Sequence, residues 1–255
     1  INKQVLLAGK HLFSEKPLCM TMGEARELVS LAEQAGVVNG VSFVYRQFAM
    51  VQQAASMVRS GETGRTFAVQ GCYLQDWMLE ETDYNWRVEA DKGGASRAVA
   101  DIGSHWCDTV QFVTGRKIVA VMADLAIVWP TRKANLAGQA TFSAQTQQAQ
   151  YQDCPVNTED LGFVLLRFDD GSKGCLSVSQ VAAGRKNRHY LEVSGSQASL
   201  AWDQEVPHQL WVALLLQPHP TLTYDASLMH RDVATRARFP VRHIEGWPAA
   251  FRPMF

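Results

Sequence analysis

The sequence lacks an excess of charge of either sign. Its 24 Lys and Arg against 25 Asp and Glu leave a formal net charge of −1. That balance gives no bulk electrostatic case for nucleic acid or an anionic membrane as a partner. Long apolar runs are missing too: Leu210–Leu216 is strand-sized and Ile118–Trp129 is interrupted by Asp124, so no segment reaches the ~20 residues of a membrane span. The five cysteines, at 19, 72, 107, 154 and 175, are odd in number and form no C-x-x-C pair. A reduced cytoplasmic protein with buried thiols is therefore expected. The chain opens Ile1-Asn2-Lys3, without an initiator methionine or a signal-peptide pattern. It also contains no G-x-G-x-x-G turn, the backbone cradle that receives a dinucleotide pyrophosphate.

What is present is an ordinary globular composition. There are 255 residues, 47% hydrophobic and 19% charged, with seven tryptophans, enough for one large domain or two smaller ones. Residues 1–10 read as the end of a helix closed by Gly9, and Leu12-Phe13-Ser14 as a short buried strand stopped by Pro17. Thr21 and Glu24 form a capping box, Ala25, Leu28, Val29 and Ala32 follow at helical spacing, and Gly36 ends the helix. Val37–Tyr45 is strand-like, which completes a strand–helix–strand order typical of a parallel sheet. A further helix carries Val51, Ala54, Ala55 and Val58 to Gly61.

Thr66–Trp77 alternates as a strand, with Phe67, Val69, Tyr73, Gln75 and Trp77 on one face. A long loop over 78–100 leads to a helix over 101–113. Strands then dominate: Ile118–Val128, Leu161–Phe168, Gly174–Val181, Tyr190–Ser194, Ser199–Trp202 and Leu210–Leu216, with a hairpin turn at Asp169–Ser172. Residues 217–245 read as irregular and 246–255 as the start of a helix. The expected fold is α/β: a partial Rossmann-type parallel sheet over 1–46, then an α+β domain with a large, mostly antiparallel sheet over 47–255.

The chemistry concentrates in Asp101-Ile102-Gly103-Ser104-His105-Trp106-Cys107-Asp108. At about 100° per residue, Asp101, His105 and Asp108 share one narrow helical arc beside an apolar stripe of Ile102, Trp106, Val110 and Val113. A histidine carries protons near neutral pH, and a carboxylate one turn away can orient it or bind a hydroxyl. Periodicity alone favours Asp101 as a helix cap with His105 in the core; a metal site of Asp101, His105 and Asp108 is a third reading, without an obvious fourth-ligand motif. The second signal is Glu15-Lys16-Pro17. A lysine at the C-terminal end of a parallel strand faces the usual ligand crevice of such sheets and can stabilise a developing alkoxide; a solvated surface lysine is the plain alternative.

Together these motifs resemble the glucose–fructose oxidoreductase/inositol dehydrogenase (Gfo/Idh/MocA) family. The resemblance runs through residues 9–18, Tyr45-Arg46, Gln75-Asp76-Trp77, Asn85-Trp86-Arg87, residues 101–105, Thr158-Glu159-Asp160 and residues 184–188. It implies a Rossmann domain followed by a substrate and oligomerisation domain, assembled as a homodimer or homotetramer. It also implies hydride transfer between NAD or NADP and a hydroxyl or ketone of a sugar, cyclitol or related pyranoside. Lys16, Asp101 and His105 would be the catalytic set, with no metal. Glu15, Lys16, Gln47, Trp86 and Arg87 would meet the cofactor, and Tyr45, Arg46, Tyr73, Gln75, Trp77, Asn187 and Arg188 the substrate. The family's opening strand–G-x-G-x-x-G–helix is not in this sequence. A piece of a longer protein is expected, with a non-catalytic homologue that binds carbohydrate or forms oligomers as the alternative.

Overall fold

A computed structural model of the chain describes residues 1–135, 150–235, 239, 240, 243 and 246–254. They divide into two compact units, Ile1–Phe43 and Val44–Phe255. The expected irregular stretch 217–245 therefore includes seven residues, 236–238, 241–242 and 244–245, that lie outside the described ones.

The first unit holds helix α1 (Asn2–Leu7), strand β1 (Leu12–Ser14), helix α2 (Met22–Ala35) and strand β2 (Asn39–Val41). The Thr21 side chain accepts the Glu24 N–H while the Glu24 carboxylate accepts the N–H groups of Met20 and Thr21, so the start of α2 is capped from both sides. Gly36, at φ 60°, takes the left-handed conformation that ends the helix. β1 and β2 pair in parallel, Leu12 to Asn39 through Ser14 to Val41. Of the helical set expected to face a core, Ala32 is buried in this unit, whereas Val29 is 52% exposed.

The strand expected over Val37–Tyr45 is shorter, and Val44–Gln47 forms a 3-10 turn. The reason is packing: Tyr45 and Phe48 are buried in the second unit's core, where Phe48 lies 5.4 Å from the Trp202 ring. Helix α3 (Ala49–Arg59) follows, then strand β3 (Thr66–Leu74). Phe67 leaves the face assigned to it because the β3 register shifts between Thr66 and Ala68; it is 53% exposed while Val69 and Tyr73 point inward.

The loop after β3 is less plain than expected, with a 3-10 turn at Trp86–Val88 and a short helix α4 (Ala90–Gly93). The next helix does not begin at Asp101. A π turn over Val99–Gly103 runs into α5 (Ser104–Thr114). Strands β4 (Ile118–Ala126), β5 (Thr131–Asn135), β6 (Tyr151–Pro155), β7 (Leu161–Phe168), β8 (Lys173–Ser179), β9 (Arg188–Gly195), β10 (Ala198–Asp203), β11 (Gln209–Leu214) and β12 (Thr221–Thr223) complete the sheets. Short helices α6 (Arg231–Ala234) and α7 (Trp247–Phe251) close the described chain. The β5–β6 hairpin, β12 and α6 have weak sequence signals, being short or charged.

Eight strands form one sheet in the order β12-β11-β10-β9-β3-β8-β7-β4. Of its pairings, β3–β8 is parallel and the others are antiparallel. Its inner face packs Leu166, Leu176, Val178, Leu191, Val193 and Leu200 into the same core as α3 and α5. Trp106 is fully buried there and donates its indole N–H to the Tyr190 carbonyl at 2.8 Å. That approach needs Gly71, where a Cβ would stand 2.1 Å from the Tyr190 oxygen and 2.5 Å from the indole nitrogen. The outer face is open, with Met122 (67% exposed) beside Leu165 (52%) and with Phe163 (61%) two residues along β7. Among the described residues, no helix is long and apolar enough to cross a membrane.

Candidate active site

The second unit gathers most of the predicted side chains on the inner face of the sheet, at the end where β3 finishes and β9 begins. Tyr45, Tyr73 and His105 form a buried aromatic cluster. The Tyr45 ring meets His105 edge-on at 5.1 Å between centroids, and the tyrosine hydroxyls hydrogen-bond to each other. Burial raises the pKa of both phenols, Tyr73 well above the usual value with the neighbouring Tyr45 adding to it. Both stay neutral, able to donate as well as accept. The Asn187 side chain lies close to both hydroxyls and offsets part of that rise. Gln75 Nε2 donates to Asn187 Oδ1 and Trp77 Nε1 donates to Gln75 Oε1, each at 2.8 Å. A line of hydrogen-bonding groups thus runs from the half-buried rim of Trp77, Gln75 and Asn187 to the tyrosine pair beside His105.

Asp101 sits at the same rim. It does not cap the helix, which opens before it and is capped by a residue far along the chain. The Glu159 carboxylate accepts the backbone N–H groups of Arg97 and Val99 at 2.9–3.0 Å and the Ser96 hydroxyl at 2.8 Å. The N–H groups that open the helix are thereby satisfied, and the negative charge suits that end of the dipole. Asp101 Oδ2 instead accepts from Gln180 Nε2 at 2.9 Å, and its Oδ1 lies 3.8 Å from Arg87 Nε. The π turn matters here, because it moves Asp101 off the regular spacing that placed it in one arc with His105 and Asp108. Asp108 faces elsewhere and receives a two-pronged hydrogen bond from Arg46.

Arg46 was expected to meet substrate at a strand end. Its guanidinium is committed to Asp108 and lies over the Phe112 ring at 5.4 Å, bolting the 3-10 turn to α5. Arg188 was expected to do the same. It projects from β9 opposite the buried His189, is bound to Asp203 at 2.8 Å and covers Tyr190. Strand alternation separates it from the cluster, since Asn187 and His189 share a side and Arg188 takes the other. His189 itself was missed. It pairs with Tyr73 across the sheet, stacks on that ring at 5.0 Å and 20°, and is wholly buried. Burial, with His105 nearby, depresses its pKa well below the ordinary histidine value, so its ring is neutral. A period-2 reading inward from Asn187 would have found it.

Asn85 Oδ1 accepts the Arg87 backbone N–H at 3.2 Å and caps the turn that presents Trp86, 48% exposed, with the Arg87 guanidinium 4.7 Å above its ring. The loop leading to that turn hangs on Arg132, which donates to the carbonyls of Met78, Glu80 and Asp83 at 2.8–2.9 Å. Arg132 and Arg97 share the Asp160 carboxylate, all three side chains having no exposure. Glu159 and Asp160 thus support both the Asp101 turn and the Arg87 loop. Their signal in the sequence was the Thr158-Glu159-Asp160 run. Among the described residues no three His, Cys, Asp or Glu side chains are grouped to hold a metal ion.

In the first unit, Glu15 and Lys16 directly follow the C-terminal end of the parallel strand β1, the position where ligands meet such sheets. Gln47 ends the 3-10 turn of the second unit, half buried. These residues and the Trp86–Arg87 turn suit a dinucleotide in kind, as a cation beside a strand end and a flat aromatic ring under a guanidinium.

A parallel strand pair followed by Glu15-Lys16-Pro17 is thus joined in one chain to a large open sheet with an Asp/His helix. The family description GFO/IDH/MocA C-terminal domain matches residues 51–201, and oxidoreductase family, NAD-binding Rossmann fold, matches residues 1–43. The chain belongs to the Gfo/Idh/MocA oxidoreductase family. It is 30% identical over 207 residues to the levoglucosan dehydrogenase of Pseudarthrobacter phenanthrenivorans, covering 81% of this chain and 52% of that protein. Among solved structures it resembles an inositol dehydrogenase homologue from Azotobacter vinelandii complexed with NAD+, with TM-score 0.82, 26% identity, and 98% and 60% of the two chains covered. It also resembles a levoglucosan dehydrogenase complexed with NADH and levoglucosan, with TM-score 0.84, 25% identity, and 99% and 65% covered. The chain spans between about half and two thirds of the length of these relatives.

Proposed function

We propose that the chain is part of an NAD- or NADP-dependent oxidoreductase that moves a hydride between the cofactor and a hydroxyl or ketone of a sugar, cyclitol or related pyranoside. The observation that carries this reading is the line of donors and acceptors from Trp77 through Gln75 and Asn187 to Tyr45 and Tyr73, ending beside His105. A polyol needs several such groups at fixed spacing, and His105 supplies the proton carrier among them. In the direction of oxidation His105 takes the hydroxyl proton and Asp101 holds the substrate hydroxyl in place. Lys16, assigned by the Glu15-Lys16-Pro17 motif alone, polarises the same oxygen. The nicotinamide, when bound, supplies the hydride acceptor. Glu15, Lys16, Gln47, Trp86 and Arg87 are the residues of this chain assigned to hold it.

The second reading is a carbohydrate-binding or oligomer-forming homologue without hydride transfer. Titration with NADH, followed by nicotinamide fluorescence, separates the two. The chain from Ile1 alone is expected to bind weakly and the whole product of its gene tightly. Equally tight binding by both would sink the assignment of the pyrophosphate cradle to a preceding segment, and binding by neither would favour the non-catalytic reading.

The open face of the eight-stranded sheet is assigned to assembly as a homodimer or homotetramer, on the strength of its apolar row of Met122, Phe163 and Leu165. Sedimentation equilibrium checks it: Leu165→Lys is expected to shift the mass toward the monomer, and an unchanged mass counts against that face.

A further inference from the structure

Gln180 is the residue directly after β8 and is fully buried. Its Nε2 donates to Asp101 Oδ2 at 2.9 Å. A carboxylate only accepts, so the amide must turn its NH2 toward Asp101 and its oxygen away. That oxygen is shielded from solvent and has no hydrogen-bond partner among the described residues. A buried carbonyl oxygen without a donor is destabilising, and a methionine of similar volume would fill the space without it. Packing therefore does not explain the glutamine. Its backbone is pinned on both sides, the N–H donating to the Asp160 carbonyl at 3.0 Å and the carbonyl accepting from Met78 N–H at 3.1 Å. One residue earlier, the Ser179 carbonyl accepts from Gln75 N–H at 2.8 Å.

We propose that Gln180 is a positioning residue for Asp101, a role that rests on the dehydrogenase reading above. By holding Oδ2 it fixes the rotation of the carboxylate, so that its ion pair with Arg87, Nε to Oδ1, stays long at 3.8 Å. Asp101 is thereby held in one orientation at the rim, and Arg87 keeps its guanidinium over Trp86. Because the Gln180 and Ser179 backbones also hold Met78 and Gln75, the carboxylate and the rim of the site are set in one register.

The test is Gln180→Met, with Gln180→Leu as a second apolar replacement should the first fail to fold, made in the whole gene product. The expected result is a melting temperature at or above that of the unsubstituted protein, because the unpaired oxygen is gone. Turnover of the best sugar on a panel is expected to fall by about tenfold or more, in the range for loss of one hydrogen bond to a charged group. NADH affinity should stay within about twofold. In crystals of the variant Asp101 should turn and draw closer to Arg87 than the 3.8 Å seen here. An Asp101 carboxylate that keeps its place, or turnover within about twofold of the unsubstituted protein, overturns the proposal. If the unsubstituted protein turns over no sugar with either cofactor, the dehydrogenase reading fails, and the position of Asp101 in the variant crystals still judges Gln180 on its own.

Discussion

His105→Ala in the whole gene product is expected to lower turnover of its sugar substrate at least ~100-fold, the lower end of what a positioned acid–base group contributes. The argument is geometric. His105 is 7% exposed, its ring stands edge-on to Tyr45 at 5.1 Å, and both tyrosines are kept neutral by burial. A neutral phenol is a poor proton acceptor, and His189 is pushed well below the ordinary histidine range. Among the buried groups of the cluster, this leaves His105 as the proposed proton carrier. Steady-state kinetics should show the loss in kcat, with the NADH dissociation constant little changed. Near-normal turnover would remove His105 from the role of base.

Asp160→Asn is expected to destabilise the second unit by about 3–5 kcal/mol, the cost of breaking a buried ion pair on one side. The Asp160 carboxylate answers Arg97 and Arg132, and all three side chains are shut off from solvent. It also accepts the backbone N–H groups of Val128 and Trp129 at 2.7 and 3.1 Å. Removing its charge leaves two guanidiniums without a counter-ion. Urea unfolding measures the difference, and a loss under about 1 kcal/mol would contradict the account.

The same residue makes a pH prediction. Burial would raise the Asp160 carboxyl, but the two arginines outweigh it and hold it below its ordinary value. A depressed acid contributes its full stability above its unfolded pKa, about 4, and loses it as pH falls through the folded value. The gap in stability between the unsubstituted protein and Asp160→Asn should therefore be constant from about pH 5 to 8 and narrow below about pH 4.

Local chemistry was legible wherever a few neighbouring residues decide it. Thr21, Glu24 and Gly36 bound α2 through contacts within one turn, so its start and end could be read directly. Strands β7 to β9 alternate cleanly because one face is buried. Where a distant residue intervenes, the reading slipped. Asp101 has the look of an N-cap, but the helix opens before it, and the opening N–H groups, those of Arg97 and Val99, are taken by Glu159, about sixty residues later. Arg46 and Arg188 look like ligands for an anionic or hydroxylic substrate, and each has a carboxylate partner that sequence spacing does not reveal.

The sequence by itself determined the family and the α/β fold class, with a parallel sheet and a large, mostly antiparallel one. These depend on motifs a few residues long and on hydrophobic periodicity. Only the tertiary structure decided which side chains act together in the second unit. It replaced Arg188 with His189 on the inner face, joined Gln75 to Asn187, and put Gln180 and Glu159 behind Asp101. The physical reason is that hydrogen bonds and burial depend on distance in space. A buried polar group must find its partner wherever the fold brings one, and nothing in local spacing records which one that is.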